Sequence, residues 1–447
     1  MTPHLNNPVL RRRGDTRGKR YSEEWLPCRT VHADKDTRVA SHQAQQVILL
    51  ATISVLLVVA PFVANGILVL LSALASEFGA DPTSILLAVS AFMVPFAIVE
   101  LFSGAISDVK GRTPVITGGL VGYSVGMALA AASPSLPVFV LAHAIMGASW
   151  GFVNPVVIAL VSDLSPPDRI SSRMGIVAAL GSIGVAVAPF LAGYLVAYGW
   201  RFFYAILAVI SILTAVVMAS RRRVSSQSAA GGQLGLFIRI LVEEARRPVV
   251  ILLMLSGLML AATYLAMTVW ISRVFAGVVP ETTTGFLLME SGLVAVVTGI
   301  LAGMLIRRHG AGVTLSVGLI SLVLSTGTLL FFYGRADSPN MTAVTLALLL
   351  VGCAGGMLYP AQMYCSQMFS PERRGAIAGL LTSVQFAGLA AVPVVYEPFF
   401  LMSEASLFAA LFAASMLYVV VAAVLWSRAR DVLRACESGA KNQAHFS

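Results

Sequence analysis

Residues Gly104-Ala-Ile-Ser-Asp108-Val-Lys110-Gly111-Arg112 form a short charged turn between two apolar runs, 84–106 and 115–133. The turn matters because it recurs. At Gly303-Met-Leu-Ile-Arg307-Arg308-His309-Gly310 the chain again leaves an apolar run and closes on glycine, 199 residues later. A second pair, Ser165-Pro-Pro-Asp168-Arg169 and Ser370-Pro371-Glu372-Arg373-Arg374-Gly375, is offset by about 204 residues. Similar offsets at similar places imply a duplicated unit whose two copies run in the same sense, related by an axis along a membrane normal, with the binding site between them.

Apolar runs fill the sequence around these turns. A membrane-crossing helix needs about 20 mostly apolar residues. Twelve candidates lie at 47–75, 84–106, 115–133, 137–160, 174–197, 202–220, 249–272, 284–306, 312–333, 341–364, 376–397 and 405–427. The composition agrees: 57% of the 447 residues are apolar and 11% charged, less than half the charge of an ordinary soluble protein. Soluble enzymes, disordered chains and disulfide scaffolds are excluded. The fold class expected is an all-α membrane protein of twelve transmembrane helices in two pseudo-symmetric six-helix halves.

The charges sort by side. Twenty-seven of the thirty Lys and Arg residues fall in the two tails and the alternate loops, leaving Arg201, Arg273 and Arg335 for the opposite face. By the positive-inside rule both termini are cytoplasmic, and the net charge of +9 reports orientation rather than a nucleic-acid partner. The domain order is a basic tail (1–45) without a signal-peptide core, a first half (46–220), a central loop (221–248), a second half (249–427) and a C-terminal tail (428–447). Cys28, Cys353, Cys365 and Cys436 have no metal-like spacing. No metal, cofactor, phosphate loop or nucleophile–base pair is expected.

Over 45–427 the chain resembles the major facilitator superfamily. Its second-to-third loop signature, G-x-L-A-D-R-x-G-R-[RK], is matched at Gly104, Asp108, Gly111 and Arg112, with Val109 in place of the first basic residue and Lys110 beside it. The resemblance implies the major facilitator fold and a gating latch formed by Gly104, Asp108, Lys110, Gly111 and Arg112. The fifth span, Gly184-Val-Ala-Val-Ala188-Pro189-Phe-Leu-Ala192-Gly193, resembles the exporter motif G-x-x-x-G-P-x-x-G-G, with two glycines replaced by alanine. Trp200-Arg201-Phe-Phe203 resembles the W-R-x-x-F that opens the sixth span of such exporters. The fourth span departs from the pattern. Where the exporter motif L-x-x-x-R-x-x-Q-G has Arg and Gln, this chain has His143 and Met146.

Ionisable groups at bilayer depth are costly and therefore read as functional. Glu290 is the first candidate for a proton-carrying carboxylate, followed by His143 and by Glu100, whose spacing to Gly104 and Asp108 also suits the latch. His143, Met146, Trp150 and Asn154 share one helical face. Cavity candidates are Asn65, Trp150, Asn154, Tyr264, Gln362 and Gln385, with Trp270 and Tyr359 as further aromatics. Arg273 and Glu397 fall near span ends, where solvent makes a charge ordinary. Together with the resemblance, these residues imply a monomeric plasma-membrane (inner-membrane) transporter in the lipid bilayer that exports small amphipathic molecules in exchange for protons. The alternatives are a sugar or metabolite facilitator or importer, and a non-transporting binding protein on the same fold.

Overall fold

The computed structural model describes residues 48–59, 61–166, 169–220, 234–335, 338–370 and 373–444. The basic tail, Asp168, Arg221 to Arg223 and Glu372 lie outside them. Among the described residues, twelve helices are long and apolar enough to cross a membrane. They are Ile48–Gly66, Pro82–Lys110, Arg112–Ala131, Leu136–Asp163, Ser172–Tyr198 and Trp200–Ala219 in the first half. The second half has Pro248–Phe275, Glu281–His309, Ala311–Phe332, Met341–Met368, Arg374–Met402 and Glu404–Arg428.

Three boundaries differ from the sequence reading. The first span stops at Gly66 rather than 75, and a separate helix, Leu71–Phe78, follows. Pro61 supplies no backbone donor there, and both the backbone N–H and the side-chain amide of Asn65 converge on the Pro61 carbonyl, at 3.1 and 2.9 Å. The central loop contains a helix, Leu234–Ala245. The last helix runs on to Ala444, because no proline or glycine pair stops it at 427.

Local chemistry sets the turns. Asp81 caps the second span by accepting from the Thr83 amide at 2.7 Å, with Pro82 at the first helical position. Gly111 ends the second span and starts the third at φ +91°, and Gly310 makes the same reversal between the eighth and ninth at φ +83°. Both positions need a residue without Cβ. The helix-interior prolines repeat as well: Pro155 and Pro360 are 205 residues apart, and Pro189 and Pro393 are 204 apart. The duplication is thus written in backbone-bending residues.

The two halves meet along two seams, the fifth span against the eighth and the second against the eleventh. Helix association in lipid depends on close approach of small residues. A Cβ at Gly285 would lie 2.5 Å from the Pro189 carbonyl, and one at Gly193 would lie 2.5 Å from the Glu281 carbonyl. Gly292 packs directly on Ala186. The second seam is held by the Ser90 hydroxyl, which donates to Ala390 O at 2.6 Å, and by an edge-on Phe96–Phe386 pair at 4.7 Å. These contacts lie away from the face that carries the chain termini. Toward the termini, Gly104, Gly181, Gly303 and Gly379 have open space where a Cβ would sit. The molecule is therefore closed at one face and parted at the other.

Candidate functional site

The charged turn between the second and third spans becomes an ion-pair bridge. Arg112 lies 2.7 Å from Asp108 Oδ1 and 3.1 Å from Asp163 Oδ2, and its Nη1 donates to Ser107 Oγ at 2.5 Å. One guanidinium thus fastens the ends of the second and fourth spans, with its fork geometry matched to several oxygens at once. Arg112 is 11% exposed. Lys110, grouped with the latch from sequence, instead stands exposed on the other side of the helix. Asp163 escaped the sequence reading because it lies 51 residues from its partner and belongs to no local pattern.

The second half fastens itself differently. Arg373, in the loop between the tenth and eleventh spans, donates to Glu243 at 3.0 Å and to the buried Glu244 at 3.1 Å on the central-loop helix. Arg247 takes the other Glu244 oxygen at 2.8 Å. Hydrogen bonds from Arg239 and Arg373 hold the Glu243 carboxyl below its ordinary value.

On the closed face, Arg273 of the seventh span crosses to the other half. Its Nε donates to Thr83 Oγ1 at 2.7 Å, and its Nη2 lies 3.1 Å from the Asp81 carboxylate. The guanidinium stacks over Phe400 at 4.6 Å. Partial burial pushes the Asp81 carboxyl up, but hydrogen bonds from Thr83 and the Arg273 charge outweigh it and leave the group below its ordinary range. Arg273 is only 12% exposed and is far from ordinary; the position near a span end was a poor guide, because the neighbouring half covers it. The Gly277 amide adds a second crossing bond, to Ser72 Oγ at 2.8 Å.

Between the two faces sits Glu100. The Asn154 side chain of the fourth span hydrogen-bonds its carboxyl, and Oε2 is buried with no hydrogen-bond partner among the described residues. Tyr359 of the tenth span, in the opposite half, is close enough to feel the Glu100 charge and is 42% exposed in mid-span. Sequence reasoning selected Glu100 and Asn154 separately, and the fold makes them one unit. Glu290 is half-buried in the eighth span, and no hydrogen bond or ion pair reaches it among the described residues.

Several other candidates belong to the interior of one half. His143 is 1% exposed, its Nδ1 lying 2.9 Å from Phe139 O and its Nε2 3.1 Å from the Tyr204 hydroxyl. Nδ1 faces a carbonyl oxygen and therefore donates, while Nε2 pairs with a hydroxyl that can either give or take the proton. Phe139, Trp200 and Tyr204 surround it. His143 itself packs toward Tyr204 of the sixth span, Met146 and Trp150 pack on the third span, and Asn154 on the same face turns to Glu100. Trp150 is buried against Tyr123 at 5.2 Å. Gln362 and Gln385 are buried in the second half, where Gln385 Nε2 donates to Gln362 Oε1 at 2.8 Å and Gln362 reaches Ser256 and Tyr418. Tyr264 lies in a π-helical turn, Ala261–Leu265, with its ring against Gly355. Asn65 serves the break in the first span. In the fifth span, Gly184 admits the Val58 carbonyl, while Pro189 and Gly193 face the eighth span.

Comparison with known proteins agrees with this architecture. The profile of the Major Facilitator Superfamily matches residues 53–393. Multidrug resistance protein 2 of Bacillus subtilis (strain 168) is 25% identical over 306 residues, covering 65% of this chain and 74% of that protein. An uncharacterized MFS-type transporter of the same organism, YceJ, is 25% identical over 310 residues, 67% of this chain and 76% of the relative. Quinolone resistance protein NorA of Staphylococcus aureus is 26% identical over 155 residues, 34% of this chain and 40% of NorA. Among solved structures, a mutant of the nucleoside transporter NupG superposes with a TM-score of 0.70 at 14% identity, covering 85% of this chain and 98% of NupG. The proton:xylose symporter XylE gives 0.65 at 15% identity, covering 87% and 96%. At those identities the superpositions speak to the fold alone.

Proposed function

The chain belongs to the major facilitator superfamily and is a membrane transporter, and from that premise we propose that it exports small amphipathic molecules in exchange for protons by alternating access. Glu100 carries the proton. The observation behind this reading is its carboxyl, placed where the halves face each other, with Asn154 on one side, Tyr359 across the gap and one oxygen unpartnered among the described residues. An unpaired carboxylate in a dry interior is costly, so its charge must be cancelled by a proton or a cation whenever the gap closes around it. Glu290 ranks second, since it is half-buried in the eighth span with no polar side chain holding it among the described residues.

Export rather than import is supported by two drug-resistance relatives and by the fifth-span motif, whose small residues form the seam between halves. The substrate class rests on a single acid and the Tyr359 ring at the gap between otherwise apolar helices, which suits amphipathic rather than polyanionic molecules. In this reading the protein sits in the plasma membrane, both termini are cytoplasmic, and the parted face is the cytoplasmic one. The test uses everted membrane vesicles and a fluorescent amphipathic probe. Acidifying the lumen should drive probe uptake, and a protonophore should abolish it. Uptake indifferent to the proton gradient would remove proton coupling, and accumulation only in right-side-out vesicles would reverse the direction.

A further inference from the structure

The second and third spans are consecutive in sequence, yet each packs mainly on the fourth span rather than on the other. The tight reversal at Gly111 joins them at one end, and a groove of about 400 Å³ remains between them. Ile106 forms one wall, Val115 and Gly118 the other, and Phe152 of the fourth span lies in the floor. Lys110 closes the end of the groove at the face that carries the termini, one helical turn beyond Ile106 and on the same side. Asp108 points to the opposite side of the helix and is held by Arg112, as is Asp163. The lysine charge is therefore spent on neither acid.

We propose that this groove binds an anionic phospholipid, with an acyl chain along Ile106, Gly118 and Phe152 and the phosphate on Lys110. The lining matches a hydrocarbon chain, and a cation at the headgroup level matches a phosphate. Gly118 keeps the groove open: a Cβ there would meet no atom within 4 Å, so the missing side chain serves neither helix packing nor the turn. Two positions from Lys110 on either side lie the bridge residues Asp108 and Arg112, so an occupied groove would brace the bridge that fastens the first half. The proposal is independent of substrate and coupling ion.

Native mass spectrometry of the purified protein, incubated with equal amounts of phosphatidylglycerol and phosphatidylcholine, tests it. The wild type should retain phosphatidylglycerol preferentially. Lys110→Gln should lower that retention at least fivefold and erase the preference. Gly118→Leu should displace both lipids, and Ile106→Trp fills the groove from the other wall should the first filler misfold. Arg308→Gln, at an exposed basic position outside the groove, should change nothing. An equal loss in Arg308→Gln would reduce the effect to general attraction of lipid by basic residues and overturn the site. Unchanged retention after filling would overturn it as well.

Discussion

The Arg273 guanidinium, anchored in the second half, lies 3.1 Å from the Asp81 carboxylate that caps the second span of the first half. One residue thus both starts a helix and closes a seam. Any swing that opens this face must break the pair and uncover Arg273 from Phe400. Asp81 is 59% exposed, so the pair is worth about 1 kcal/mol rather than the value of a buried one. Arg273→Ala should therefore raise the population open at this face about fivefold, read from spin-label distances across the two halves.

The same pair carries a pH signature. The Asp81 carboxyl is held below its ordinary range in the closed state. Its contribution to closure is thus complete above that range and disappears as pH falls through the lowered value. Distance measurements should find the closed population constant from about pH 5 upward and declining below about pH 4. In Asp81→Asn this acid-side decline should vanish.

Glu100→Gln should abolish gradient-driven transport while leaving probe binding within about threefold of wild type, since the amide keeps the shape without the exchangeable proton. Asn154→Ala should reduce transport less. The comparison is made in vesicles, with Glu290→Gln in parallel. If Glu290→Gln is the silent variant and Glu100→Gln is active, the ranking is reversed.

At His143 the prediction separates packing from coupling. His143→Ala leaves the Tyr204 hydroxyl without its partner inside an aromatic cluster, costing about 1–3 kcal/mol of stability. The pH profile of transport should stay where it is in protein that remains folded. A displaced profile would restore His143 to the coupling machinery.

The seam between the fifth and eighth spans should tolerate no bulk. Gly285→Val sets a side chain against the Pro189 carbonyl, so the closed face cannot form. Ser90→Cys in that background should become reactive to a membrane-impermeant thiol reagent. Gly181→Ala, with open space at its Cβ, should leave both transport and labelling unchanged.

Much of this molecule was legible as periodicity. Apolar length located all twelve spans, and Gly111 and Gly310 marked equivalent reversals because that backbone conformation excludes Cβ. Partnerships were harder. Asp163, Asp81 and Arg273 acquire their roles only once distant helices meet, and a local window holds no trace of the meeting. His143 shows the limit of face periodicity. Its chemistry suggested a proton carrier, but helical spacing says which residues share a face and not what that face touches.

The π-helical turn at Ala261–Leu265 has a consequence for the closed seam. Such a turn holds one residue more than α-helical winding allows, and each residue of an α-helix advances the azimuth by about 100°. Everything beyond it in the seventh span, Trp270 and Arg273 included, is rotated by that step. Excising a single residue from the turn would swing Arg273 off Asp81 without altering either side chain. The ion pair is thus indexed by a local insertion, and a one-residue indel there would act as a change of phase in the gate.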